Sequence, residues 1–372
     1  MAAMTATDTA GQRPGAPDRS EIGAVLHQGD RRQRARRLRL VLIAVLAVCV
    51  AASLAIGAAG TSLWAALWDG LRGQEVALAD RIVLWQIRLP RTLMGMGVGA
   101  ALAVSGALMQ GLFRNPLADP GIVGVGAGAS LGAIAAILLS GLLPAGLAAA
   151  MGIYTVPIAA FVGSWINTML LYRVATRAGR TSVAVMLLAG IALGALTGAV
   201  SGVLIYMADD NQLRDLTFWG MGSLAGATWT KVATGLAVIV PALLAAPALA
   251  RGLNALALGE AAAYHLGIRI QRVKNLAILA VAAATGAAVA MSGGIGFIGI
   301  VVPHLLRLAS GPDHRELLPN AALLGASLLL LADIISRVII APSELPIGIV
   351  TAVLGGPFFL WILLRQRGVL DL

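Results

Sequence analysis

Hydrophobic and polar positions in this chain separate into long blocks instead of alternating with a strand or surface-helix period. Apolar runs occupy about residues 40–60, 92–112, 121–141, 150–171, 183–207, 232–250, 276–293, 295–308, 320–340 and 347–364. A helix needs roughly 17–25 apolar residues to cross a bilayer, and all but one of these runs meet that length. In lipid the backbone must bond to itself, so blocks of this kind become helices. The pattern predicts an all-α, polytopic membrane protein with ten transmembrane helices. The short run, 295–308, decides whether both ends lie on the same side.

Composition agrees. Hydrophobic residues make up 59% and charged residues 12% of the 372 positions, against about a quarter charged in ordinary globular chains. A net charge of +10 in a soluble chain would suggest nucleic acid as a partner. In a membrane chain, excess Lys and Arg instead fix orientation. With the N-terminus inside and ten spans, the outward Lys and Arg are Arg72, Arg81, Arg88, Arg91, Arg214, Lys231 and Arg337, and the other twenty of the 27 are cytoplasmic. Omitting the short span would send Arg365 and Arg367 outside, so the charges favour ten.

Residues 1–39 are rich in Pro, Gly and Arg, a composition that cannot bury a core, and read as a disordered cytoplasmic tail. The run after them is long for a signal peptide and lacks a cleavage site, so it reads as an uncleaved first span. The domain division is 1–39 tail and 40–372 membrane domain. Trp64, Trp68, Trp85, Trp219 and Trp229 suit outer-interface anchors, and 61–91 is long enough for a short helix on the outer surface.

Two patterns concern architecture. The octad Gly99–Gly106 (GAALAVSG) recurs as Gly286–Gly293 (GAAVAMSG), five spans apart, so the two copies run in opposite directions, as in inverted-repeat transporters. Gly190, Gly194, Gly198 and Gly202 fall four apart on one helix face. Such a stripe permits close helix packing, or forms a smooth wall beside a conduit. Gly95/Gly99 and Gly124/Gly128/Gly132 are shorter versions.

Chemistry within the spans is sparse. Apart from Arg307 at the edge of the short run, the apolar runs contain only Asp333 and Arg337 as charged residues, spaced i, i+4 and able to pair. Ionisable groups in a membrane are functional candidates, although one acid is a poor proton relay. His27, His265, His304 and His314 do not cluster at metal spacing, and Cys49 is the single cysteine. No G-x-x-x-x-G-K-[ST] phosphate loop exists. If ATP drives this protein, another subunit binds it. The connector Leu256–Ile268 contains a two-turn segment bracketed by Gly259 and Gly267, with Leu258, Ala262 and Leu266 on one face. It suits an interfacial helix or a knob for a cytoplasmic partner.

Several ordered motifs, Arg88-Leu-Pro-Arg91, Gly99–Gln110, Asn115-Pro116-Leu-Ala-Asp119-Pro120-Gly121, Leu258–Gly267, Gly294–His304 and Glu344-Leu-Pro-Ile-Gly348, resemble the permease family of ATP-binding-cassette importers for iron–siderophores, haem and vitamin B12. The resemblance runs from about residue 60 to the C-terminus. It implies a ten-span, N-in/C-in subunit of a bacterial inner membrane, built of two inverted five-helix halves and acting as a homodimer. Two ATPase subunits holding ATP and Mg are expected to dock on a coupling helix formed by Leu258, Gly259, Glu260, Ala263, Leu266 and Gly267. A periplasmic binding protein is expected to meet Arg88, Arg91 and Arg337, and the resemblance makes the Gly190–Gly202 face a translocation pathway. The Asp-Pro-Gly ending leans to haem as cargo, with no cofactor held by the chain itself. Siderophore or vitamin B12 import is the alternative, and an ion-coupled secondary transporter is the rival of another class. An intramembrane enzyme lacks the residues it needs.

Overall fold

The computed structural model describes residues 19–57, 72, 77–142 and 144–365. Thirteen helices in this range organise the fold: α1 (Arg19–Ala55), α2 (Leu78–Phe113), α3 (Val125–Leu139), α4 (Thr155–Ala175), α5 (Val183–Tyr206), α6 (Asp210–Gly220), α7 (Trp229–Ala245), α8 (Ala250–Ala257), α9 (Glu260–His265), α10 (Ile270–Ser292), α11 (Ile298–Ser310), α12 (His314–Val338) and α13 (Ile347–Arg365). Each of the ten apolar runs maps onto a helix. Eight of these are long and apolar enough to cross a membrane, while α11 and the apolar part of α13, Ile347–Trp361, are shorter. A two-stranded ribbon, Thr176–Arg177 with Arg180–Thr181, joins α4 to α5.

Two boundaries differ from the expected ones. Helix α1 starts at Arg19, well before residue 40, and Ala35 and Leu42 are already buried. Arginine and glutamine are good helix formers, so a stretch too polar for a core can still extend a helix. The expected outer helix within 61–91, with Trp64 and Trp68, falls largely outside the described residues. Its described end, from Leu78, is the first part of α2. A π-helical turn at Val83–Arg88 there precedes Pro90, whose missing N–H cannot complete the regular ladder.

Helix α2 is the axis of the bundle and is buried along most of its length. It lies against α12, α10, α11 and α7. Its small residues make this possible: a Cβ at Gly99 would strike the Gly325 carbonyl of α12, and one at Gly106 the Gly299 backbone of α11. On the other side, Gly128 and Gly132 of α3 press the backbone of α4 at Gly163 and Ala159. These stripes are packing seams. The octad echo has a packing counterpart. Helix α2, second of the first five spans, lies on α12, fourth of the next five; α10, second of the later set, lies on α4, fourth of the earlier one.

Candidate functional site

Three places collect the residues singled out above. The first is a buried ionic cluster at the end of α2 that carries Arg88 and Arg91. Arg91 donates from Nε and Nη2 to Asp333 Oδ1 at 3.0 and 2.9 Å, and from Nη1 to Glu344 Oε1 at 2.7 Å. Arg337 reaches the other Asp333 oxygen at 3.2 Å. The expected Asp333–Arg337 pair therefore exists, but Arg91 is the bidentate partner. Arg88 donates to the carbonyls of Leu54 and Ala55 at 2.6 and 3.1 Å, and Arg337 to those of Ser53 and Ile56 at 3.3 and 3.2 Å. Both guanidiniums thus satisfy carbonyls at the C-terminus of α1, the end that favours positive charge. One cluster ties α1, α2, α12 and the segment before α13 together.

This placement bears on the docking expectation. Arg88, Arg91 and Arg337 expose only 3, 6 and 5% of their surface, and Asp333 none. Their heads are spent on partners within the chain and are not offered at an outer rim. Reading α2 as starting at residue 92 hid this, because it left Arg88 and Arg91 in a loop. The detectable signal was their i, i+3 spacing, which puts both on one face of a helix extended backwards through Leu78.

The second place is the α9 segment. Gly259 and Gly267 take φ values of 104° and 75°, in the left-handed region that glycine adopts freely. Between them Ala263 is buried, whereas Leu258, Tyr264 and Leu266 are 70, 72 and 62% exposed. Glu260 accepts from Lys274 Nζ of α10 at 2.7 Å, and the same ammonium donates to the Thr181 carbonyl of the ribbon at 2.9 Å. The result is a short helix with apolar side chains pointing outward, clamped at its base to α10 and to the α4–α5 ribbon.

The third is the α5 glycine face. A Cβ at Gly194, Gly198 or Gly202 would meet nothing in this chain within 4 Å, unlike the seams of α2 and α3. Within one copy the stripe is an open wall.

The Asn115–Gly121 motif is a turn device. The Asn115 side chain accepts from the Leu117 N–H at 2.9 Å, and Asp119 accepts from the Gly121 N–H at 2.7 Å, capping the turn Pro120–Val123. Burial pushes the Asp119 carboxyl up, partly offset by the Gly121 bond. Near the C-terminal end of α2 the α2–α11 contact is polar: Gln110 donates to the Gly299 carbonyl at 3.3 Å and accepts from Arg307. Trp229 donates to the Trp85 carbonyl at 3.0 Å and their rings lie 5.5 Å apart, linking two of the expected anchors. Among the described residues no three His, Cys, Asp or Glu side chains gather as a metal site.

A bundle of apolar helices with a buried ionic tie at one end, an exposed apolar knob at the other and an open small-residue wall defines a multi-pass membrane transport subunit. The chain belongs to the FecCD transport family, which it matches over residues 43–365. It is 48% identical over 285 residues to the hemin transport system permease protein HmuU of Yersinia pestis, covering 76% of this chain and 84% of that one. It is 44% identical over 337 residues to the vitamin B12 import system permease protein BtuC of Salmonella typhi, covering 90% and 98%. Its fold matches the inward-facing conformation of a metal-chelate type ABC transporter with a TM-score of 0.77 and 30% identity, over 89% of this chain and 99% of that one. It is a multi-pass membrane permease subunit of an ABC transporter.

Proposed function

We propose that the cargo is haem and that the chain moves it by ATP-driven alternating access as a homodimer. The observation that carries the cargo is the 48% identity to a hemin permease, above the 44% to vitamin B12 permeases. Ten spans, with both termini cytoplasmic and two inverted five-helix halves, are supported by the ten helix-forming runs, the Lys/Arg asymmetry and the reciprocal α2–α12 and α10–α4 packing. Residues 40–372 form the transport domain and 1–39 a cytoplasmic extension.

In this reading two ATPase subunits, which bind ATP and Mg, receive the knob of Leu258, Gly259, Glu260, Ala263, Leu266 and Gly267. The exposure of Leu258 and Leu266, and the clamp to α10 through Lys274, support it, since motion at the knob passes directly into a long buried helix. A periplasmic binding protein delivers haem at the opposite end. Given their burial, Arg88, Arg91 and Arg337 act there by holding the surface that docks it. Gly190, Gly194, Gly198 and Gly202 line the pathway between the two copies, and the freedom of Gly194, Gly198 and Gly202 from contact within one chain supports this. A wall without charges or ligands passes on a large, partly apolar molecule without trapping it.

The test is reconstitution with the ATPase and binding protein in liposomes. ATP-dependent haem accumulation with little cyanocobalamin or ferric siderophore uptake is expected. Cyanocobalamin or siderophore uptake without haem uptake overturns the cargo. Gradient-driven uptake by the chain alone overturns the class of machine.

A further inference from the structure

A groove of ≈ 750 Å³ runs between α7 and α10, with Trp165 of α4 among its lining residues. Its walls are apolar: Pro241 and Ala245 from α7, and Leu276, Leu279 and Ala283 from α10. Its mouth is different. Arg251, Arg269 and Arg272 converge there, at the end of the bundle that carries α9. All three are exposed, and none has an acid within ion-pair reach among the described residues. The nearby acid Glu260 is already held by Lys274. By contrast, Arg39, Arg91 and Arg337 all have carboxylate partners.

We propose that this groove is a binding site for an anionic phospholipid, with its phosphate on Arg251, Arg269 and Arg272 and its acyl chains along the apolar walls. Charge complementarity and depth argue for that occupant. Three unpaired guanidiniums at one mouth suit a phosphate oxyanion, and basic pockets between transmembrane helices bind anionic headgroups. From Arg272 to Ala283 the α10 wall rises about 17 Å at 1.5 Å per residue, comparable with half the roughly 30 Å hydrocarbon core. A soluble ATPase cannot follow the groove to that depth, and the apolar knob that suits such a partner lies beside it on α9. The site borders both α10 and the base of the knob, so a bound lipid would brace the element that carries motion inward. The leaflet follows from the proposed orientation; the existence of the site does not.

The test uses the full chain, delipidated in a neutral detergent and titrated with dioleoylphosphatidylglycerol, dioleoylphosphatidylcholine or inorganic phosphate, with bound lipid read by native mass spectrometry. Phosphatidylglycerol is expected to be retained at least about tenfold better than phosphatidylcholine, since each surface cation near an anionic headgroup is worth about a fivefold factor. The variant R251Q/R269Q/R272Q is expected to lose most of that preference. Because removing cytoplasmic cations can disturb insertion, A245F serves as a second variant that keeps every charge and fills the apolar wall. It is expected to weaken retention of phosphatidylglycerol severalfold. Equal retention of the two lipids, unchanged retention in A245F, or displacement of lipid by inorganic phosphate alone overturns the proposal. So does an arginine variant that keeps its lipid but fails to capture the ATPase subunit, which would make the arginines a protein contact.

Discussion

Asp333 shows how a single side chain can organise the end of a bundle. It is fully buried and forms ion pairs with two arginines on different helices. Removing one partner from a buried ion pair leaves an uncompensated charge, at a cost of about 3–5 kcal/mol. We expect Asp333→Ala to lower the melting temperature of the purified chain sharply, and Arg91→Leu in the same background to recover part of the loss; thermal denaturation in detergent measures both. The same cluster decides between positioning and contact for the arginines. If Arg88 caps α1, Arg88→Gln lowers thermal stability and binding-protein affinity together. A loss of affinity at unchanged stability would mean direct contact. The sequence made the Asp333–Arg337 pair legible, because i, i+4 spacing on a helix is a local property. The Arg91–Asp333 bond joins residues 242 apart, and no local period reveals such a partner.

Elements were more legible than contacts. Long apolar blocks can only be helices in lipid, so all ten runs reappear. Their ends shifted where polar residues continue a helix, at Arg19 and at Leu78. The α9 segment was readable from its flanking glycines, and both adopt positive φ. Valine at 259 would be forced into a conformation costing about 1–3 kcal/mol. Gly259→Val should therefore reorient the knob and separate ATPase activity from uptake, while the chain still inserts. A milder change tests the docking face itself. Leu258→Asp with Leu266→Asp should weaken ATPase-subunit binding at least about thirtyfold if the two anchors together are worth about 2 kcal/mol or more, as surface plasmon resonance on nanodisc-held chain can show. The α2–α11 seam offers the opposite case. Gly106→Leu drives a side chain into the Gly299 backbone, which cannot yield as a flexible neighbour could. Its cost should exceed the roughly 1–3 kcal/mol of ordinary overpacking, seen as loss of monodisperse protein on extraction.

For the whole molecule, the open face of α5 is the point at which one copy looks incomplete. Periodicity placed Gly190, Gly194, Gly198 and Gly202 on a line, yet could not separate a packing seam from a wall. The structure separates them by what lies opposite: backbone for Gly99, Gly106 and Gly128, and nothing in the same chain for Gly194, Gly198 and Gly202. Lipid and a water-accessible seam between two copies remain as different surroundings for that face, and thiol chemistry distinguishes them. Maleimides react with the thiolate, which forms in water and is suppressed in hydrocarbon. Cys49 is the sole cysteine, so Cys49→Ser yields a silent background for Gly198→Cys and Gly202→Cys. A third variant, Ile166→Cys on the exposed side of α4, supplies the lipid reference. A membrane-impermeant maleimide should label the two α5 thiols well above the α4 one, and the side from which it reaches them should change when the ATPase subunits are trapped with nucleotide. Labelling no faster than at 166 would put the stripe in lipid and leave the pathway to be sought on another helix.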